Sequence, residues 1–368
     1  MLEKRHPWQV VKPFVYVFDG PLALIVFLIV ATGIVTVYSA GIDFPGRIED
    51  HLRNILIAFG VLWVAASIPP QTLMRFAVPV YTLGITLLVA VAVFGLVKKG
   101  ARRWIDLGVV IQPSEIMKIA MPLMLAWFFQ KREGRVHWRE FLIAGLLLLI
   151  PVGLIVKQPD LGTAVLVLAA GFYVIFLAGL SWKVLLGLVL AVAASLPVAW
   201  TLLHDYQRAR VMMLIDPTLD PLGKGFHIIQ STIAVGSGGI YGKGWLHGTQ
   251  SHLEFIPERT TDFIFAVFSE EFGLIGNIFL LSLYALLVIR GLMIAANAPT
   301  LFTRLLAGAI TLIFFTYAFV NMGMVSGILP VVGVPLPLMS YGGTAMVTLA
   351  LGAGILMSIQ RHRKLIQT

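Results

Sequence analysis

The chain has 368 residues, of which 58% are hydrophobic and only 12% are charged, and its mean hydropathy is +0.91. A soluble domain carries roughly 25% charged residues, so this composition excludes a soluble protein and predicts a membrane protein. The net charge of +9 comes from basic residues scattered among apolar runs, which argues against nucleic-acid binding. The lack of cysteine excludes disulfides, thiol nucleophiles and cysteine metal sites.

The apolar runs predict an all-α polytopic membrane protein with about ten transmembrane helices. The predicted spans lie at about 20–40, 54–68, 76–97, 115–130, 140–156, 161–180, 184–203, 264–289, 302–328 and 341–359. We expect a single transmembrane domain over residues 1–368. A large extracytoplasmic loop at about 204–263 connects the seventh and eighth predicted transmembrane helices, which end at about 203 and begin at about 264. The mixed residues before the first span do not form a cleavable signal peptide.

Basic residues cluster on one side of these spans. Lys4, Arg5 and Lys12 precede the first span, Lys131, Arg132, Arg135 and Arg139 follow the fourth, and Arg361, Arg363 and Lys364 follow the last. The positive-inside rule places this side, and with it both termini, in the cytoplasm.

With this orientation, one short outer loop carries cations against the rule. It contains Lys98, Lys99, Arg102 and Arg103, and Lys157 lies at the outer end of the fifth span. Arginine binds phosphate through two parallel hydrogen bonds, so the loop is a candidate site for an anionic lipid headgroup. A wrong topology, or a general attraction to lipid headgroups, is the alternative explanation.

Charged residues also stand at the start of two spans, where each needs a partner or a function. Ser114 is a candidate N-cap of the fourth span. Glu115 and Lys118 are three residues apart on one helix face, so they can form a structural ion pair. Alternatively, Lys118 binds phosphate and Glu115 orients it. Asp160 precedes the sixth span and is expected first as a helix cap.

The long loop ends at Asp262, which stands directly before an apolar helix. The carboxylate can simply cap that helix. Its place at the membrane boundary, near the proposed cationic site, also suits a general base. Glu270 and Glu271 follow about two turns further along that helix. They either line the site or make the polar contacts that a bent helix requires.

Two glycine-rich segments complete the pattern. Residues 236–244 contain five glycines and predict tight turns or close approach to a ligand, but not a nucleotide loop, because no strand precedes them. Residues 327–344 carry three prolines and predict a non-helical stretch that is shielded or lines a cavity. In it, Ser340 is a candidate ligand or a cap of the last helix, and Asn321 can hydrogen-bond across helices.

Several of these segments together resemble the shape, elongation, division and sporulation (SEDS) family, in its RodA branch. The segments that carry the resemblance are 100–104, 112–118, 158–164, 236–248, 257–273 and 327–343. The resemblance runs from about residue 19 to 364, and the short N-terminus and residues 206–211 look more like the elongation member than the division member.

The resemblance implies a peptidoglycan glycosyltransferase that polymerises lipid II at the outer face of the bacterial inner membrane during cell elongation. It implies Asp262 as the essential acid, which we interpret as the general base that activates the acceptor hydroxyl. The expected substrate-binding residues are Arg102, Arg103, Glu115, Lys118, Lys157, Asp160 and Ser340. No cofactor is evident, although a divalent cation can accompany the pyrophosphate.

The resemblance also implies partners: a class B penicillin-binding protein that crosslinks the product, and other rod-complex membrane proteins. Two polyprenyl tails require a groove that opens to lipid. The alternative function is a lipid II flippase, which would keep its key charges near the bilayer midplane. A pure scaffold is the third possibility, and it leaves the outer cations and Asp262 without a role.

Overall fold

The computed structural model describes residues 17–98, 101–106, 110–134, 137–202, 208, 212, 216, 224–252 and 258–363. The helices in this part of the chain are α1 (Gly20–Ala40), α2 (Arg47–Ser67), α3 (Pro70–Phe94), α4 (Pro113–Gln130), α5 (Trp138–Lys157), α6 (Leu161–Leu177), α7 (Trp182–Leu202), α8 (Lys224–Ser237), α9 (Thr249–His252), α10 (Ile264–Ala296), α11 (Leu301–Val325) and α12 (Gly343–Arg361). The polytopic helical class is therefore confirmed.

Within the described residues, six helices are long and apolar enough to cross a membrane: α1, α3, α5, α10, α11 and α12. Two shorter apolar stretches are α6 (Leu161–Leu177) and the part of α7 at Trp182–Val198. Helices α2 and α4 carry charged residues in their first turns, which lowers their hydropathy. The total of ten spans therefore stays a prediction.

The helix starts follow local sequence signals. Asp19 caps α1, because its carboxylate accepts a hydrogen bond from Leu22 N at 3.0 Å. Proline stands in the first turn of α1, α3 and α4, where its missing N–H costs nothing. Two predicted caps were wrong: Gln112 rather than Ser114 precedes α4, and Gly342 rather than Ser340 precedes α12.

Helices α4 and α11 form the centre of the bundle. Helix α11 packs against α4, α6, α10 and α12, and α12 lies along α2. Most side chains of α4 and α11 are buried, whereas the described side chains of α7 are exposed along nearly its whole length. Outward-facing apolar side chains are the surface expected for contact with lipid.

The two ends of the bundle are distinguished by their polar contacts. At the end where α10 begins, called here the Asp262 end, Arg259 Nε donates to the carbonyl of Ala40 at 2.8 Å. At the opposite end, called the Arg290 end, Arg290 forms two hydrogen bonds of 3.0 and 2.6 Å with Asp19. Helices α1 and α10 are therefore tied together at both ends.

A short antiparallel sheet, which the sequence did not predict, lies between α3 and α4. Its strands are β1 (Leu96–Lys98), β2 (Ala101–Asp106) and β3 (Val110–Ile111), in the order β1-β2-β3. Leu96 pairs with Trp104, and Ile105 pairs with Ile111. Arg102 and Arg103 therefore lie on one strand of an antiparallel pair, whereas Lys99 lies outside the described residues.

The predicted long loop is partly helical where it is described, because it contains α8 and α9. The glycine-rich segment after α8 packs on a break in α10 at Gly273, whose φ is +62° and ψ is −158°. This backbone region is accessible to glycine only. Phe263 occupies the N-cap position of α10, and no side chain caps that helix.

Candidate functional site

Asp262 lies at the start of α10, and its side chain is half-buried. Because Phe263 holds the N-cap position and no side chain caps the helix, the capping interpretation of Asp262 is not supported. A Cβ atom at Gly333 would lie 3.3 Å from Asp262 Oδ2, so the carboxylate faces the backbone of the proline-rich loop at residues 327–342. Gly333 has φ +72°, which favours glycine at this wall of the site.

The proline-rich loop is tied to the segment before α10. Ser340 is buried, its hydroxyl donates to Thr261 O at 2.7 Å, and it accepts from Leu336 N at 2.7 Å. Tyr341 N donates to Thr260 O at 2.8 Å. These bonds give Ser340 a supporting position beside Asp262, and its predicted contact with substrate stays a prediction.

Arg103 and Asp160 lie together at the same end of the bundle. Arg103 Nη1 is 3.8 Å from Asp160 Oδ1, and the guanidinium also donates to the carbonyls of Gln158 and Pro159. Asp160 is buried, caps α6 through Thr163 N at 3.3 Å and accepts from Gln112 Nε2 at 3.0 Å. Asp160 therefore anchors Arg103 to the start of α6.

This cluster meets the proline-rich loop at the start of α6. A Cβ at Gly162 would lie 2.7 Å from Val332 O, so the helix and the loop are in direct backbone contact. Val332 precedes Gly333, the residue that faces Asp262. The loop is thus the common wall between the Arg103–Asp160 cluster and Asp262.

Glu115 and Lys118 form the buried ion pair that their spacing predicts. Lys118 Nζ is 2.6 Å from Glu115 Oε1, and Lys118 is only 4% exposed. The ammonium also lies 5.2 Å from the centroid of the Tyr317 ring on α11. Tyr317 is one turn from Asn321, whose amide donates to the carbonyl of Asp262 at 2.8 Å. The pair therefore lies beneath the site rather than at its surface.

The other two predicted cations are exposed at this end. Arg102 Nη1 donates to Ala92 O at 3.3 Å, and Lys157 is the last residue of α5. The described contacts bring Arg103, Asp160, Ser340 and Asp262 around the proline-rich loop, and they do not join Arg102 or Lys157 to that group. Both exposed cations remain accessible to an anionic ligand.

Arg259 is a site residue that sequence reasoning missed. It is 1% exposed, donates to Asp43 Oδ2 at 2.5 Å, and its guanidinium lies 5.0 Å from the Phe44 ring. It stands three residues before Asp262 and fixes the α1–α2 connection beneath the site. An arginine three residues before a candidate base was the available signal.

Glu270 and Glu271 have local partners within the glycine-rich region. Glu270 Oε1 accepts from Lys243 Nζ at 2.7 Å and from Thr249 N at 2.9 Å, while Glu271 accepts from Ser39 Oγ. Lys243 N and Gly244 N donate to the carbonyls of the same two glutamates at 2.9 and 3.0 Å. These contacts favour the prediction that both glutamates make the polar contacts of a bent helix.

Two apolar grooves flank α10. The first has a volume of about 670 Å³ and lies between α1 and α10, with Leu28, Val35, Tyr241, Phe268 and Phe279 among its lining residues. The second has a volume of about 540 Å³ and lies between α10 and α11, with Phe265, Tyr284, Phe315, Phe319 and Ile328 among its lining residues. Phe265 places the second groove one turn from Asp262.

Taken together, the Asp262 end of the bundle holds a carboxylate and several cations, and apolar grooves open along the helices beside it. Among the described residues, no three histidine, cysteine, aspartate or glutamate side chains are grouped to hold a metal ion. The arrangement suits proton abstraction beside an anionic leaving group.

The comparisons with known proteins identify the family. Residues 21–365 match the family model FTSW_RODA_SPOVE, described as cell cycle protein. The chain is 53% identical to the peptidoglycan glycosyltransferase MrdB of Escherichia coli K12, over 95% of both chains. It is 31% identical to the peptidoglycan glycosyltransferase RodA of Treponema pallidum, over 94% of this chain and 98% of that one.

Two solved structures are similar along the chain. One is described as a peptidoglycan synthase complex with structural coordination of polymerization and crosslinking; its matching chain has a TM-score of 0.82 and 36% identity, over 94% of this chain and 98% of that one. The other is the rod shape determining protein RodA of Thermus thermophilus, with a TM-score of 0.71 and 30% identity, over 94% and 97%. The chain belongs to the FtsW/RodA/SpoVE family.

Proposed function

We propose that this chain is a peptidoglycan glycosyltransferase that polymerises lipid II during cell elongation and rod-shape maintenance. The observation that carries the proposal is the place of the Asp262 carboxylate, which faces the proline-rich loop at the end of the bundle that also holds Arg102, Arg103 and Lys157. The 53% identity to a peptidoglycan glycosyltransferase supports the same activity.

In the proposed reaction, Asp262 is the general base. Its carboxylate takes the proton from the 4-hydroxyl of the glucosamine of one lipid-linked disaccharide, and that oxygen attacks the anomeric carbon of another. The bond from the anomeric carbon to the pyrophosphate oxygen breaks, and undecaprenyl pyrophosphate leaves with the electron pair. Attack opposite the leaving group inverts the anomeric centre and forms a β-linked glycan.

The leaving group is already a stabilised anion, so cations rather than a general acid serve it. Arg102 and Lys157 are exposed at the Asp262 end, and Arg103 reaches the same region from β2. A divalent cation carried by the pyrophosphate would belong to the substrate. Lys118 is paired and buried, so we propose that it acts from beneath the site.

The two grooves beside α10 fit the two polyprenyl tails that the reaction requires. Both are lined almost entirely by apolar side chains and run along helices that face outward. The groove between α10 and α11 contains Phe265 and therefore reaches the neighbourhood of Asp262. Tails held there would leave the pyrophosphates at the Asp262 end.

We further propose that the Asp262 end faces the periplasm and that both termini are cytoplasmic. Arg290, Lys131 and Arg361 belong to the opposite end, which fits the positive-inside rule. A class B penicillin-binding protein and other rod-complex proteins are the proposed partners. The similarity to a complex that coordinates polymerization and crosslinking supports the first of these.

A lipid II flippase is the second candidate function. Such a transporter would concentrate its charged groups at the midplane between repeated halves. In the described residues, Arg103, Asp160 and Asp262 instead lie at one end, and Lys118 is neutralised by Glu115. This distribution favours surface chemistry over transport.

The decisive experiment measures glycan strands made from purified lipid II by the protein with its partner, for the wild type and Asp262→Asn. We expect long strands from the wild type and a rate at least about 100-fold lower from Asp262→Asn, because the amide keeps the shape but cannot accept the proton. Glu258→Gln, at an exposed carboxylate nearby, is the matched control and should polymerise normally.

Normal polymerisation by Asp262→Asn would remove Asp262 from the role of base. A wild type that made no polymer but moved lipid II across vesicles would establish the flippase.

A further inference from the structure

The side chain of Asn321 joins the two segments that enclose the candidate base. Asn321 is fully buried near the end of α11. Its Nδ2 donates to Asp262 O at 2.8 Å and to Val334 O at 2.7 Å. A carboxamide nitrogen carries two N–H donors, so one group makes both bonds at once.

Each of these carbonyls belongs to a non-helical segment within a membrane protein, where backbone groups require internal partners. Asp262 lies outside the regular turns of α10, since Phe263 is its N-cap. Val334 lies among Pro330, Pro335 and Pro337, which have no N–H to offer. The amide of Asn321 therefore supplies donors that the neighbouring backbone lacks.

The two bonds also define a geometry for the carboxylate. Asp262 Oδ2 faces Gly333, which directly precedes Val334. The amide thus holds the backbone that bears the carboxylate and the backbone that the carboxylate faces. An error of about 1 Å in the position of a catalytic group can reduce a rate roughly 100-fold.

We infer that Asn321 is a positioning residue for catalysis, which sets the place of Asp262 against the proline-rich loop. The inference rests on the proposed function of Asp262 as the general base. Asn321 does not touch the substrate in this assignment, and it acts through Asp262.

The test compares Asn321→Leu, which is similar in size and has no donor, with the wild type in lipid II polymerisation. We expect kcat to fall about 10- to 100-fold, while KM for lipid II changes less than about twofold, because ground-state binding is retained. Thr316→Val is the matched control. It removes an interhelical contact of the same helix, the 2.6 Å bond between Thr316 Oγ1 and Tyr173 OH of α6, which involves neither Asp262 nor the proline-rich loop. The control should keep the wild-type kcat.

A coupling measurement separates positioning from simple loss of stability. In Asp262→Glu the carboxylate is already displaced by one methylene, so adding Asn321→Leu should reduce kcat by much less than it does in the wild type. A purely structural role predicts equal losses in both backgrounds. If Asn321→Leu does not fold, Asn321→Ser retains one hydroxyl donor and should give an intermediate kcat at unchanged KM.

The outcomes separate the two proposals. Full activity of Asn321→Leu beside an inactive Asp262→Asn would overturn the positioning role and leave the base in place. Full activity of Asp262→Asn would contradict the role of Asp262 as general base. The positioning role of Asn321 would then be contradicted as well, because it rests on that base. Additive losses in the coupling measurement would reduce Asn321 to a structural residue.

Discussion

Lys118 carries a positive charge into the centre of the bundle, where its partners decide what the charge can do. Glu115 lies 2.6 Å away on the same helix, and the Tyr317 ring faces the ammonium from α11. A buried ion pair is costly to break because removing one member leaves the other charge without compensation. The geometry therefore indicates that the pair stabilises the helix bundle. A role of Lys118 in substrate binding needs a separate test.

Lys118→Met should lower the free energy of unfolding by about 3–5 kcal/mol, because Glu115 is left buried and charged. The double variant Lys118→Met, Glu115→Leu should recover most of this loss. Thermal unfolding in detergent measures both variants. If the double variant is stable yet polymerises no lipid II, Lys118 serves the reaction as well as the fold; a stable and active double variant would restrict it to the fold.

Gly333 offers a second residue-level test beside Asp262. Gly333→Ala should cost roughly 1 kcal/mol of left-handed backbone strain. It should also reduce polymerisation, because the new methyl would stand 3.3 Å from Asp262 Oδ2. Gly327→Ala is the matched control, since Gly327 has φ +73° in the same loop but its nearest side-chain atom is Thr232 Oγ1 at 3.4 Å. Equal activities of the two variants would show that strain alone explains the effect.

At the scale of elements, the break in α10 organises the region between the long loop and the bundle. Gly273 interrupts the helix, and Gly238 and Gly242 let the glycine-rich segment approach the carbonyls of Ser269 and Glu271. Lys243 then reaches the buried carboxylate of Glu270. The segment and the helix break are thus one structural unit.

Gly273→Ala should sharply reduce the yield of folded protein, because a Cβ there would lie 2.3 Å from Gly242 N and the backbone region is closed to alanine. Gly145→Ala is the control: Gly145 lies inside α5 with no atom within 4 Å of the added methyl. That control should be neutral or stabilising. Size-exclusion profiles in detergent measure both, and a well-folded Gly273→Ala would contradict the assignment.

The sequence predicted the helical elements well because apolar runs of membrane length leave few alternatives. It predicted the Glu115–Lys118 pair and the Asp160 cap because both depend on neighbours three residues apart. It did not predict the paired strands β1, β2 and β3, the burial of Arg259, or the support given by Ser340. These depend on contacts between segments distant in the chain, which local spacing does not encode.

At the scale of the whole molecule, α10 separates two apolar grooves that extend along the bundle. Only the groove between α10 and α11 contains Phe265, one turn from Asp262. The groove between α1 and α10 instead contains Tyr241 of the glycine-rich segment. The arrangement allows two long tails to lie on opposite sides of one helix.

Filling either groove should weaken the binding of substrates with long tails more than the binding of substrates with short tails. Ala285→Trp would fill the groove between α10 and α11, and Ala31→Trp the groove between α1 and α10. We expect KM for long-chain lipid II to rise several-fold, at about 0.8 kcal/mol for each methylene no longer buried, with little change for a short-chain analogue. Equal effects on both substrates would argue against tail binding in that groove.

The contact between the glycine-rich segment and α10 has a consequence for hydrogen exchange. The amides of Lys243 and Gly244 bond to α10 carbonyls, and those of Leu274 and Ile275 bond to Gly239 O and Ile240 O in return. A stretch whose composition resembles a linker should therefore exchange its bonded amide protons as slowly as a helix. Opening of this segment would release four hydrogen bonds together and expose the broken turn of α10, so the long loop and the bundle should open as one cooperative unit.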